Sequence, residues 1–229
     1  MARLIPKIDP SLIQNSGERI VAQALVEQLP SNCLIYHSFP WLRPQRHEKN
    51  NVPYLQPGEA DFVIVHPDLG ILILEVKGGG IEYDPISGDW IRTDTWSGHQ
   101  FVIQDPFLQA ERNKYALLGR IQEHELFRGS GAPSYTIGHA VVFPDSRYEG
   151  QLPAHVQGPI LFGADDIKSL NKKVVQAFDA WCRVRNPYPF RPHELDAITE
   201  ALSPVFRLTP IHKCQLKDFD PAIWTTERD

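Results

Sequence analysis

The sequence predicts an α/β fold, a central mixed β-sheet with α-helices on its faces. Two observations carry this. The segments Ala60–His66 and Ile71–Lys77 are both rich in β-forming residues, and the turn-forming cluster His66-Pro-Asp-Leu-Gly70 joins them into an antiparallel hairpin. A helical pattern opening at Asp105 then leads to another apolar strand, Tyr135–Phe143, so the chain crosses over and returns to a sheet.

The elements follow in order. Ile20, Val21, Ala24, Leu25 and Leu29 recur at helical spacing, with Ser16 as the predicted N-cap and Pro30 as the stop. Cys33–Phe39 reads as a short strand, and the Pro-, Arg- and Asn-rich stretch 40–57 as a loop. After the hairpin, Gly78-Gly79-Gly80 ends the second strand, and 81–104 reads as small strands or extended loop. Asp105-Pro106 starts a long helix with proline at its first position, predicted to end near Phe127. Pro159–Phe162 is a short strand. Helical patterns follow over 165–184 and 193–202, and 208–229 shows no core pattern.

Composition narrows the function. A chain of 229 residues with 42% hydrophobic content builds a sizeable core, and no apolar run is long enough to span a bilayer. Residues 1–10 lack a signal-peptide pattern. Cys33, Cys182 and Cys214 are odd in number and scattered, which suits incidental thiols in a reducing cytoplasm. The net charge of −5 argues modestly against a broad DNA-coating surface, but not against an enzyme that meets a phosphate backbone locally. Nine histidines form no zinc-like spacing. His66 and His99 are weak candidates for substrate contact. Arg43, Arg46, His47 and Lys49, beside Trp41, form a basic loop that either grips phosphates or is simply solvated. Arg183, Arg185 and Arg191 make a weaker second patch, and Trp90 and Trp96 are either core plugs or a lid.

The chemistry concentrates on the hairpin. Residues two apart on a strand share a face, which pairs Glu59 with Asp61 and Glu75 with Lys77. In Ile71-Leu-Ile-Leu-Glu75-Val-Lys77 the other residues are all apolar, the mark of a strand buried on both faces. Buried charges cost several kcal/mol each unless paired or metal-bound. One lysine among two or three acids leaves negative charge that a divalent cation would neutralise. Asp61, Glu75 and the Val76 carbonyl are therefore the predicted ligands of Mg²⁺ or Mn²⁺, with Glu59 as a further acid and Lys77 orienting the attacking water. The plain alternative is a buried Lys–carboxylate pair in a central sheet. A glycosidase-type acid pair leaves Lys77 unexplained.

Gly58-Glu-Ala-Asp61-Phe-Val-Ile-Val65 followed by Gly70-Ile-Leu-Ile-Leu-Glu75-Val-Lys77-Gly78-Gly79 resembles the nuclease-related domain, NERD, a branch of the PD-(D/E)XK restriction-endonuclease-like superfamily. Asp105-Pro106-Phe107-Leu108-Gln109 resembles the helix-opening NPxxQ-like segment of that family, with Asp in place of the commoner Asn. The resemblance covers about 17–143. It implies a restriction-endonuclease-like core and metal-dependent cleavage of nucleic acid, in DNA processing or repair. By that likeness Asp61 and Glu75 match the metal-binding acids, Lys77 the catalytic lysine and Gln109 a helix glutamine reaching the site. Glu18 matches a further acid, although a negative charge in a helix first turn has its own electrostatic reason.

The expected organisation is a nuclease-like core over 1–165, a helical extension over 166–207 and a linker or tail over 208–229. Such domains are often joined to superfamily 1 helicases, kinases or zinc-binding modules, and related nucleases often form homodimers. No GxxxxGK[ST] phosphate loop occurs, so any helicase motor lies outside this sequence. The competing expectation is a catalytically weak DNA-binding module that guides a fused or partner helicase.

Overall fold

A computed structural model describes residues 1–47, 49, 51–94, 97–129, 135–182 and 189–205. Among the described residues nine strands and four α-helices follow one another: β1 (Arg3–Ile5), α1 (Ser16–Gln28), β2 (Leu34–Arg46), β3 (Pro53–His66), β4 (Gly70–Val76), β5 (Gly80–Asp84), β6 (Asp89–Thr93), β7 (Gln100–Ile103), α2 (Pro106–Gln122), β8 (Ile137–Val142), β9 (Leu161–Phe162), α3 (Leu170–Trp181) and α4 (Pro192–Leu202). The main sheet has the order β1-β2-β3-β4-β8-β9. β2, β3 and β4 pair antiparallel, whereas β1–β2, β4–β8 and β8–β9 are parallel. This is the mixed α/β sheet that the sequence predicts. β5–β7 form a separate antiparallel meander.

Alternation along the central strands divides the core in two. Phe62, Ile64, Leu72 and Leu74 face one side, under α1 and α3. Val63, Val65, Ile71 and Ile73 face the other, with Leu117 and Ile121 of α2 and Ile198 of α4. Every residue of β4 is buried, as its unbroken apolar run predicts. Burying each such Leu, Ile or Phe contributes about 1.5–3 kcal/mol, so the hairpin anchors both halves of the core. Among the described residues no helix is long and apolar enough to cross a membrane.

Several boundaries differ from expectation. Asn15, not Ser16, caps α1, its Oδ1 accepting from the Gly17 and Glu18 amides. α2 ends at Gln122 rather than near Phe127. The helical pattern from Asp165 opens as a 3₁₀ turn over Ala164–Ser169 before α3. β1, unsignalled in the sequence, pairs beside Leu34–Tyr36. The largest correction concerns 40–57, read as a loop. It is mostly strand, because β2 and β3 continue as a two-stranded ribbon to the Arg46–Pro53 pair. Prolines in both strands hid it. The tail over 208–229, Trp96, Arg183, Arg185 and Cys214 lie outside the described residues.

Candidate active site

The ladder between β3 and β4 stops at the Phe62–Leu74 pair. The next residues on the two strands are Asp61 and Glu75. Asp61 Oδ2 accepts the Val76 amide at 2.7 Å, so a carboxylate takes the place of a ladder carbonyl. On the other side, β4 stays paired with β8 through Val76–Val142, and the Lys77 amide donates to the Val142 carbonyl. The strands therefore part only where the acids stand, and a polar cavity of about 300 Å³ opens there.

Glu75 is fully buried. Its Oε1 accepts from Lys77 Nζ at 2.5 Å, and its Oε2 from Asn113 Nδ2 at 3.1 Å. Asn113, itself buried on α2, accepts from Trp41 Nε1 through its Oδ1 at 3.1 Å. A Trp41–Asn113–Glu75 chain thus fixes the carboxylate plane from behind. Lys77 is partly exposed, at 22% of its side chain, and reaches the cavity from the end of β4.

Burial pushes the Asp61 carboxyl up to about 6, against the opposing pull of the Val76 amide and Lys77. Burial, followed by the nearby Asp61 charge, pushes Glu75 up to about 7, again opposed by Lys77. Lys77 alone does not neutralise this pair.

Each predicted residue has a definite position. Asp61, Glu75, Val76, Lys77, Gln109 and Glu18 all line the cavity. Glu18 stands in the first turn of α1 and lies 2.8 Å from His37 Nε2, so it has a partner of its own besides the helix N-terminus. Gln109 stands one turn into α2. Asp105 caps that helix, accepting from the Phe107 and Leu108 amides, which explains why Asp serves there as well as Asn. Glu59 does not join them. It is exposed and absent from the lining, and it acts on Asp61 only through its charge. Alternation fails here because Ser38 adopts φ 49°, and the register skips the Ser38–Asp61 pair. Beyond that point the faces exchange, so Ala60 joins Val63 and Val65 on the α2 side.

Sequence reasoning missed Asn113, Arg92, Asp94 and Asp145. Arg92 and Asp94 come from the end of β6 and line the cavity. Asp145 follows β8, its Oδ2 accepting the Gly79 amide at 2.9 Å while Ser146 Oγ donates to the Gly79 carbonyl. Gly79 sits at φ 92°, a conformation that suits glycine, and this strap holds the glycine exit of β4. None of these stands out in the sequence, although Pro144-Asp145-Ser146 is a turn-forming cluster.

The other candidates fall away from the cavity. His66 is buried at the hairpin turn, at the opposite end of β4, and its Nδ1 accepts the Asp68 amide. His99 is exposed and outside the lining. Trp90 is a core plug packed against Phe107 and Phe143. Arg191 pairs with Glu194 at the start of α4.

The cavity-lining acids are Glu18, Asp61, Glu75, Asp94 and Asp145, against the cations Lys77 and Arg92. Such an oxygen-rich, under-neutralised set suits a hard divalent cation. Among the described residues no three His, Cys, Asp or Glu side chains converge as a complete cage. One or two carboxylates completed by backbone oxygen and water is the ordinary arrangement for Mg²⁺, so the donors fit it.

No curated protein and no solved structure matches this chain. The family model of the nuclease-related domain does match, over residues 13–144, from just before α1 to just after β8. That span covers more than half of the chain and contains Asp61, Glu75, Lys77 and Gln109, so this protein belongs to the NERD family, the nuclease-related domain.

Proposed function

We propose that the protein is a metal-dependent nuclease that hydrolyses phosphodiester bonds of DNA. The observation that carries this is the cavity where β3 and β4 part, which gathers Asp61, Glu75 and Lys77 with Gln109 of α2. A structural ion pair would need no opening beside it. Here the acids line an open cavity with raised proton affinity, and the lysine reaches solvent.

Asp61, Glu75 and the Val76 carbonyl would hold Mg²⁺ or Mn²⁺. When bound, such a cation acidifies a coordinated water and neutralises charge on a phosphate oxygen. The chain's own groups do the rest. Lys77 presents its ammonium to the attacked phosphate and stabilises the extra negative charge of the transition state. Its hydrogen bond to Glu75 Oε1 aims it, while Asn113 on Oε2 prevents the carboxylate from turning away. Gln109 supplies an amide to orient water or a phosphate oxygen. The acidic wall around the site repels a bare phosphate, so substrate binding and metal loading support one another.

The test is cleavage of a labelled single strand and of a plasmid duplex with Mg²⁺, Mn²⁺ or EDTA, beside Asp61→Ala protein. Cutting that needs the metal and is lost in the variant supports this function. A folded wild type that binds DNA but never cuts it would overturn it in favour of a binding module that guides a helicase.

A further inference from the structure

We propose that the β2–β3 ribbon is a DNA-gripping arm, which seats in the groove of a B-form duplex beside the cleavage site. The inference deepens the nuclease reading and rests on it for the site, though not for the grip.

From Leu42 to Pro57 the ribbon leaves the sheet, with its described residues exposed or half-buried on both faces. Five residues of each strand, Leu42–Arg46 and Pro53–Pro57, carry it about 17 Å from the sheet. Its sequence sets it apart electrically. Residues 40–57 hold Arg43, Arg46 and Lys49 against the single acid Glu48, a net charge of +2 in a chain whose total is −5. Among the described residues none of these three cations is in an ion pair with a carboxylate. Alternation puts Arg43 and His47 on one face and Arg46 on the other, with Lys49 at the tip. Cations thus surround the ribbon, as a rod lying between two phosphate walls requires.

The edges disfavour the simplest protein partner, an added strand. The His47 amide donates to the Val52 carbonyl, which marks His47 and every second residue of β2 before it as the cross-bonded positions. Pro40, Pro44, Pro53 and Pro57 all fall in the alternate pairs, whose amides point outward. Proline at these positions removes every second outward donor on both strands, which makes each edge a poor template for an added strand. Recognition is left to side chains. A two-stranded ribbon fits the major groove of B-DNA, whereas that groove of duplex RNA is too deep and narrow for side chains to read.

The arm is joined to the chemistry. Trp41 stands at its root, with its ring on Gly58, and its indole holds Asn113 and through it Glu75. A duplex held by the arm lies next to the cavity.

Binding is measured by fluorescence anisotropy in EDTA, where no cleavage occurs. The probes are a labelled DNA duplex, its single strand and an RNA duplex of the same sequence. The variant Arg43→Ala/Arg46→Ala/Lys49→Ala is expected to weaken DNA-duplex binding by roughly tenfold or more and to lower the salt slope by about 2–3. The wild type is expected to prefer the DNA duplex to both other probes. Unchanged duplex affinity in the triple variant, or equal binding of single strand and duplex, would overturn the proposal. Leu42→Ser/Leu55→Ser tests the exposed leucines of the arm. It is expected to keep duplex affinity, and a loss there with no loss in the cation variant would assign the arm to a protein partner instead. Tight charge-dependent binding without cleavage would leave the arm standing and remove only the nuclease reading.

Discussion

Strand β3 passes through two environments. From Phe62 to His66 it is buried between β2 and β4, and from Pro53 to Glu59 it is one side of an exposed ribbon. Asp61 stands at the boundary. In the buried half, charge exists only where a partner is supplied, as Asp61 has the Val76 amide and Glu75 has Lys77 and Asn113. On the ribbon that the exposed half forms with β2, Arg43 and Arg46 of β2 and Lys49 at the tip carry charge without a carboxylate among the described residues, because water solvates them at little cost. Charge is thus held in place by the protein on one side of Asp61 and left for a ligand on the other.

The largest effect expected from this contrast is on cleavage. Lys77→Ala is expected to lower the cleavage rate by about 10²–10³-fold, the usual cost of one charge-stabilising donor, with the fold intact by circular dichroism. Full activity in that variant would sink the assigned role.

Next come the two residues that tie the halves together. Gly58→Ala would put a Cβ 2.1 Å from the Trp41 ring, and overpacking of this kind costs about 1–3 kcal/mol. Asn113→Ala would leave Trp41 Nε1 and Glu75 Oε2 without their partner, a loss of about 1–3 kcal/mol. Thermal melts read both. If Asn113→Ala melted like wild type and cut DNA normally, the relay from the ribbon root to Glu75 would have no force.

The acids predict a pH dependence of opposite sign to an ordinary salt bridge. Asp61 and Glu75 bind protons more tightly folded than unfolded, since their values rise from 3.8 to about 6 and from 4.5 to about 7. Their contribution to stability is therefore full below the unfolded values and lost as pH rises through the raised ones. Metal-free protein should lose stability across that window, and Mg²⁺ or Mn²⁺ should restore it above about 7. Asp61→Asn should flatten the profile. Melts with and without metal across this range test the sign, and a rising profile for metal-free wild type relative to Asp61→Asn would contradict it.

The smallest effect is expected on the ribbon. Arg46→Ala or Leu55→Ser should change stability by no more than about 0.5 kcal/mol, since both residues are exposed. A clear drop in melting temperature would mean that the ribbon is packed against something in solution.

The hairpin and its three candidate site residues were readable because their signals are local. Alternation, a turn cluster and an apolar strand carrying Glu75 and Lys77 lie within 59–80, and the helix cap at Asp105 is equally local. The ribbon was misread for a physical reason. Proline normally weakens a strand, but here no strand among the described residues pairs with either outer edge and the prolines fall at outward positions, so no ladder bond is lost. Glu59 was misplaced because period-two alternation assumes an unbroken ladder, and Ser38 breaks it.

The sequence alone thus carried the mixed α/β sheet, the Asp61–Glu75–Lys77 set and the kinship with nuclease-related domains, all encoded in short-range patterns. Folding in three dimensions brought in Asn113 to hold Glu75 across 38 residues, Trp41 to hold Asn113 across 72, and Asp145 to strap Gly79 across 66. No periodicity announces such partners, because hydrogen bonds between distant segments depend on which strands pair and where the ladder stops. That stopping point, at Phe62 beside Asp61, opens a cavity next to a buried ion pair.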